Sequence, residues 1–290
     1  MNPTQRPKVR TGLIGSGIQL SSSPSLHVNE AKALGIDLDY ELLDLDYIDG
    51  AAAALPQVLT SVQARGFAGV NITFPVKQAV IPLLDDLSRE ARALNAVNTV
   101  VFRNGKRYGY NTDWWGFAES FRRGLPGVEM NRVTLIGAGG AGAAVGFAAL
   151  ELGARQLRIF DANQQRAAAL VRRLATLFPD RTIDAEVSVD MALQDTDGVI
   201  HATPTGMLKL PGLPVPAAYL HPPIWVADIV YVPLETELLE IARRNGCRIL
   251  AGNGMAVFQA ALAFELFLDL KPDAERMLAG FRSKAASAAA

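Results

Sequence analysis

The stretch from Val133 to Leu152 constrains the fold of this 290-residue chain more than any other. A short apolar run, Val133 to Ile136, enters Gly137-Ala138-Gly139-Gly140-Ala141-Gly142, and a longer apolar run, Ala143 to Leu152, follows at once. A strand, a G-x-G-x-x-G turn and a helix in that order open a βαβ unit that holds the pyrophosphate of a dinucleotide. Gly137 permits the tight turn and Gly139 lets the backbone approach the anion. The N-terminus of the helix that follows, Ala143 to Leu152, supplies free N–H groups and a positive dipole end. About twenty residues past the last of these glycines the next strand ends at Asp161, whose carboxylate can accept hydrogen bonds from adenosine ribose hydroxyls. That favours NAD. A 2′-phosphate would meet like charge there, although Arg166 is close in sequence, and Asp161 has a second available role as N-cap of the helix from Asn163 onward.

The rest of the chain fits that beginning. Its length sets a prior of two domains. With 28 basic and 29 acidic groups the net charge is −1, which gives no global field for nucleic acid or an anionic membrane. The one cysteine, Cys247, excludes an intrachain disulfide, suits a reducing compartment and reads as filler in a buried strand rather than as a nucleophile. Met1 to Arg10 is polar and basic, with no secretory h-region, and charges or prolines cut every run short of the roughly 20 apolar residues of a membrane helix. A soluble, cytoplasmic protein whose mature chain starts at Met1 is expected. The alanine-rich Ser283 to Ala290 reads as a frayed end.

Before the glycine loop, strands at Thr11 to Ile14, Tyr40 to Leu45 and Gly69 to Ile72 alternate with helices at Pro24 to Leu34 and Ala51 to Arg65. A hairpin, Asn98 to Phe102 with Arg107 to Tyr110, turns at Asn104-Gly105. A linking helix, Thr112 to Arg123, leads to strands at Val133 to Ile136, Gln156 to Phe160, Gly198 to Ile200, Trp225 to Ala227 and Arg248 to Leu250. Helices follow at Met255 to Leu268 and after Pro272. The expected architecture is α/β with two domains: an N-terminal α/β substrate domain and a Rossmann-type, doubly wound parallel-sheet domain.

Polar residues gather at strand ends of the first domain: Ser21-Ser22-Ser23-Pro24, Asn71 to Lys77, Asn98-Thr99 and Asn111-Thr112-Asp113. Carboxyl ends of parallel strands border the ligand crevice, so these groups can converge on a small polyhydroxylated molecule. Taken singly, each is more commonly a cap, a turn or a solvated side chain. In this order they resemble the shikimate and quinate dehydrogenase family, and the resemblance runs from Gly15 to about Leu270. The matching elements are Ser-x-Ser-Pro-x-x-His at Ser21 to His27, Asn-Ile-Thr-x-Pro-x-Lys at Asn71 to Lys77 and Asn-Thr-Asp-x-x-Gly at Asn111 to Gly116. Ala-Thr-Pro-x-Gly-Met at Ala202 to Met207, Asp-x-x-Tyr-x-Pro at Asp228 to Pro233, and Gly254-Met255 followed by Gln259 complete the set.

The resemblance implies a substrate carboxylate held by Ser21 and Ser23, ring hydroxyls held by Thr73, Asn98, Asp113 and Gln259, and contact from Tyr231. It implies that Lys77 and Asp113 form the catalytic pair, and that Thr203 and Gly252 join Gly137, Gly139, Gly140, Ala141, Gly142 and Asp161 around the cofactor. Residues 252–290 would return to complete a substrate domain of residues 1–111, leaving 112–251 as the dinucleotide domain. A hydride leaving an alcohol carbon requires its hydroxyl to shed a proton, which a lysine amine within hydrogen-bond reach can take or relay while Asp113 orients both groups.

The departures are Leu20 where the family commonly has histidine, Asp161-Ala162-Asn163 where NADP-linked members have Asn-Arg-Thr, His201 where asparagine is usual, and Ala256, Phe258 and Leu268-Asp269. The absent arginine supports NAD. His201 can donate a hydrogen bond or pack at its strand end. His27 and His221 lack partners at metal-ligand spacing and read as structural, so no metal is expected. Trp114 and Trp115 read as packing residues. The expected activity is NAD-dependent oxidation or reduction at a ring hydroxyl or ketone of shikimate, quinate or a close analogue, with a hydroxylated cyclohexane or cyclohexene carboxylate as partner, in a monomer or homodimer. An NADP-linked shikimate dehydrogenase and a noncatalytic dinucleotide-binding regulator are the alternatives.

Overall fold

The computed structural model describes residues 8–289. Met1 to Pro7, most of the start in which no secretory signal is read, and Ala290 lie outside the described residues. The chain packs as two compact units, one made of the residues up to Thr112 with those from Gln259 on, the other of Asp113–Phe258.

The first unit runs β1 (Val9–Gly15), α1 (Ser23–Ala33), β2 (Leu38–Asp44), α2 (Leu55–Ala64), β3 (Gly69–Ile72), β4 (Asp86–Leu87), α3 (Arg89–Leu94), β5 (Thr99–Arg103) and β6 (Lys106–Tyr110). Its sheet has the order β2-β1-β3-β5-β6-β4. β1 is parallel to both neighbours, and β5 is antiparallel to β3 and β6. Side chains alternate across a strand, so adjacent residues of β1 enter different cores. Leu13 joins Tyr40, Ala31 and Phe264 on one face, and Ile14 joins Leu59, Val70 and Val100 on the other. The hairpin turn takes positive φ at Asn104 (51°) and Gly105 (76°), as its residues require.

The segment read as one helix from Ala51 is a 3₁₀ turn, Ala51–Ala54, before α2, because Pro56 is tolerated only in the first turn of an α-helix. No sequence pattern announces β4, which has only two residues and little burial.

The second unit opens with α4 (Asp113–Gly124) and continues β7 (Arg132–Ile136), α5 (Gly140–Glu151), β8 (Gln156–Phe160), α6 (Gln164–Leu177), β9 (Thr182–Ala185), α7 (Val189–Leu193), β10 (Gly198–His201), β11 (Trp225–Asp228), α8 (Glu237–Arg244) and β12 (Ile249–Leu250). All six strands are parallel, in the order β12-β11-β10-β7-β8-β9. The order reverses between β7 and β10, and it is outside the carboxyl ends of strands at such a point that open α/β sheets bind ligands. Trp114 packs edge-on to Phe147, with centroids 5.4 Å apart.

The division between units falls within α9 (Asn253–Leu268), and α10 (Ala274–Ala289) follows. α10 continues through the stretch read as a frayed end, as the high helix propensity of alanine allows. Cys247 is buried just before β12 rather than within it, and burial raises its thiol pKa. No helix among the described residues is long and apolar enough to cross a membrane.

Candidate active site

The glycine loop lies at the strand-order reversal. Gly137 has φ +106°, and a Cβ placed there would meet the Ala202 carbonyl oxygen at 2.6 Å. A Cβ on Gly142 would lie 2.1 Å from the Gly137 carbonyl oxygen, so the helix closes on the turn only if residue 142 is glycine, while Gly137 itself lets the turn approach the chain after β10. A Cβ on Gly139 or Gly140 would meet nothing within 4 Å, and Gly139 caps α5 with no side-chain hydrogen bond. Open space beside the glycines at a helix N-terminus suits a pyrophosphate, and the residues fit a dinucleotide.

Asp161, at the end of β8, accepts from the Ala138 N–H at 2.7 Å through Oδ2 and from the Asn163 N–H at 2.8 Å through Oδ1. The cap of α6 is Asn163, whose side chain accepts from Gln165 and Arg166, so the capping role read as open to Asp161 belongs to its neighbour. Asp161 instead ties the second strand to the glycine loop.

In the first unit several of the polar residues form a connected network, buried at its centre and half-buried at its ends. The Tyr40 hydroxyl bonds Ser23 and donates to Asn71 Oδ1 at 2.8 Å. Burial raises the Tyr40 pKa well above that of an ordinary phenol, and the Ser23 contact opposes the rise. Asn71 donates to Thr99 Oγ1 at 3.1 Å, and Thr99 to Asn98 Oδ1 at 3.1 Å. Asn98 donates to Thr112 Oγ1 at 2.9 Å, and Thr112 Oγ1 lies 3.4 Å from Gln259 Oε1 on α9. Ser23, Asn98 and Gln259 are therefore brought into one connected system. The sequence reads Thr99 and Thr112 only as members of the polar strand-end clusters, and the pattern of β2 offers only a strand residue at Tyr40.

The loop that carries Ser21 is set by Asp44, which accepts from the N–H groups of Gly17 and Ile18 at 3.1 Å and from Gln19 Nε2 at 3.0 Å. Desolvation pushes the Asp44 pKa up, but the hydrogen bonds from Gln19, Asp46, Ile18 and Gly17 outweigh it and hold the carboxyl below its usual range. Ser21 Oγ accepts from the Ser23 N–H at 3.2 Å. The Thr73 methyl leaves no room for a Cβ on Gly15, 2.2 Å away. Lys77 is half-buried after β3, and its carbonyl accepts from the Val97 N–H at 2.9 Å.

Asp113 is buried at the first position of α4, in the second unit. There too are Tyr231, 40% exposed after β11, and Gly252, whose Cβ would meet the Ile229 carbonyl oxygen at 2.3 Å. Thr203 borders the glycine loop: its Cγ2 lies 2.8 Å from a Cβ placed on Gly137. His201 is fully buried and bonded on both ring nitrogens, to Asp228 and Thr203. His27 is fully buried among Tyr40, Phe264 and Phe267, and neither ring nitrogen has a partner. Burial without a partner lowers its pKa to about 3. No group of three or more metal-ligating side chains occurs among the described residues.

Residues 13–100 match the family model of the shikimate dehydrogenase substrate binding domain. A shikimate dehydrogenase (NADP(+)) of Streptomyces avermitilis is 51% identical over 280 residues, 96% of each chain. A quinate/shikimate dehydrogenase (NAD(+)) of Corynebacterium efficiens is 44% identical over 94% of this chain and 97% of its own. Among solved structures, quinate dehydrogenase from Corynebacterium glutamicum in complex with NAD is similar with a TM-score of 0.91 and 39% identity, over 95% of this chain and 99% of that one.

Proposed function

The chain belongs to the shikimate and quinate dehydrogenase family of oxidoreductases, and from that premise we propose that it transfers a hydride between the nicotinamide and a ring hydroxyl or ketone of shikimate, quinate or a close analogue, with NAD in preference to NADP. The observation that carries the cofactor choice is Asp161. Its carboxylate is fixed at the end of β8 by the glycine loop itself, and Ala162 follows where a 2′-phosphate would need a cation. Like charges pressed together at such a site can cost several kcal/mol, which is orders of magnitude in affinity.

Bound at the glycine loop, the dinucleotide supplies the acceptor for the hydride that leaves the carbinol carbon. Lys77 takes the hydroxyl proton as the carbon–oxygen double bond forms, and Asp113 orients the hydroxyl and the amine. Ser21 and Ser23 hold the carboxylate, with Ser23 steadied by Tyr40. Thr73, Asn98 and Gln259 read the ring hydroxyls, and the bonds among Asn71, Thr99, Asn98 and Thr112 keep these groups from turning away. Tyr231 adds a contact to the ring, and Thr203 and Gly252 border the cofactor.

One finding favours a second reading: the relative of 51% identity is named as NADP-linked. Rates with shikimate and with quinate, each with NAD and with NADP, separate the two. A kcat/KM with NAD far above that with NADP is expected, and comparable values would sink the NAD preference.

A further inference from the structure

Behind the glycine loop lies a buried chain of hydrogen bonds of which the steps above use only Thr203. β10 and β11 pair with His201 opposite Asp228, both at most 2% exposed. His201 Nδ1 is 2.9 Å from Asp228 Oδ1, and Nε2 is 2.6 Å from Thr203 Oγ1. Asp228 Oδ2 accepts from the Thr236 hydroxyl at 2.6 Å, and Oδ1 also accepts from the Val230 N–H at 2.9 Å. A carboxylate only accepts, so Nδ1 carries a ring proton, and in that tautomer Nε2 is the acceptor for the Thr203 hydroxyl. The Thr203 oxygen keeps its lone pairs, one of which faces the Thr205 N–H at 3.3 Å. A buried histidine and aspartate are a costly filling for a strand end that needs only packing. The half-buried hydroxyl they control stands at the reversal of strand order, beside Gly137.

We propose that His201 is a positioning residue for the dinucleotide: anchored by Asp228, it turns the Thr203 hydroxyl so that the oxygen accepts a hydrogen bond from a cofactor donor, a ribose hydroxyl or a carboxamide N–H. This rests on the reading that the glycine loop holds NAD or NADP, and is independent of which acid is oxidised.

The test measures the dissociation constants of NADH and NADPH by fluorescence for the wild type, His201→Asn, Thr203→Val and the double variant, with thermal melts alongside. Asparagine can keep a donor for Asp228 while removing the atom that faces Thr203, and valine is close to isosteric with threonine. One hydrogen bond to a neutral group corresponds to a loss of roughly 3- to 10-fold in affinity for the preferred dinucleotide. Each single variant should show that loss, the double variant should bind no more weakly than Thr203→Val alone, and the KM for the acid should stay near the wild-type value. A lowered melting temperature with an unaltered dissociation constant in His201→Asn would make the residue structural and overturn the proposal. Additive losses in the double variant would overturn it as well. Should His201→Asn fail to fold, Thr203→Val decides by itself, an unaltered constant being the refuting result. Failure of the wild type to bind either dinucleotide is a separate outcome, which overturns the cofactor reading and this proposal with it.

Discussion

His27 should make the protein acid-sensitive by an amount that can be worked out from its surroundings. Both ring nitrogens are buried without a partner, and the ring stays neutral in the folded chain down to about pH 3. In the unfolded chain it takes up a proton near the ordinary value of about 6.5. Between these limits the unfolded state binds more protons, so stability is fully present above pH 6.5 and falls as the pH drops, by about 1.4 kcal/mol per unit. From pH 7.5 to pH 4.5 the loss is roughly 3 kcal/mol, a large part of the ~5–15 kcal/mol that holds a domain folded. His27→Leu keeps similar volume among Tyr40, Phe264 and Phe267 and removes the titration. Urea melts at a series of pH values should show the wild type losing roughly 3 kcal/mol more than the variant over that range, other groups cancelling in the difference. With three histidines in the chain, the His27 ring proton can be assigned from the variant, and its NMR shift should not titrate above pH 4 in the folded protein. Parallel stability curves, or a His27 resonance titrating near 6.5, would refute the reasoning.

Lys77→Ala should lower kcat by about 10²- to 10⁴-fold with the NADH dissociation constant unchanged, and near-normal turnover at saturating substrate would return Lys77 to a solvated surface role. Asp161→Ala combined with Ala162→Arg should shift the ratio of kcat/KM values toward NADP; an unmoved ratio would place the discrimination elsewhere, with Arg166 the next position to change. Gly142→Ala places a methyl 2.1 Å from the Gly137 carbonyl oxygen, so NADH binding, followed by fluorescence, should be lost, and retained affinity would show that the loop can open. The methyl esters of shikimate and quinate should be turned over poorly, and undiminished rates would show that Ser21 and Ser23 do not anchor a carboxylate.

Strands whose side chains alternate between core and surface are legible from residue types alone. Gln156 to Phe160 is read with the bounds that β8 has, because buried Leu157 and Ile159 alternate with the half-buried Gln156, Arg158 and Phe160. β9 carries the same period but buries only Ile183 at the sheet edge, so Thr182–Ala185 shows no apolar run to read. The glycine loop and Asp161 are local in sequence, and their spacing is enough to find them. The links Tyr40 to Asn71 and His201 to Asp228 span 31 and 27 residues and depend on which strands lie side by side. Strand order follows from the packing of the whole unit, which no local pattern encodes, and so neither link can be read from the sequence.

The first unit is discontinuous in the chain, with all of Asp113–Phe258 inserted between its two segments. During synthesis the inserted unit emerges complete while the first still lacks Phe264, which packs with Leu13, Ile18 and Tyr40, and Phe267, which packs against His27. Domains fold as units while the chain is made from its N-terminus. The nascent protein therefore finishes its dinucleotide half first and carries an uncovered apolar face on the earlier-made half until α9 is released from the ribosome. A chain held with Phe258 just clear of the ribosomal exit tunnel would carry a complete second unit, an open first unit and Gln259 still out of reach.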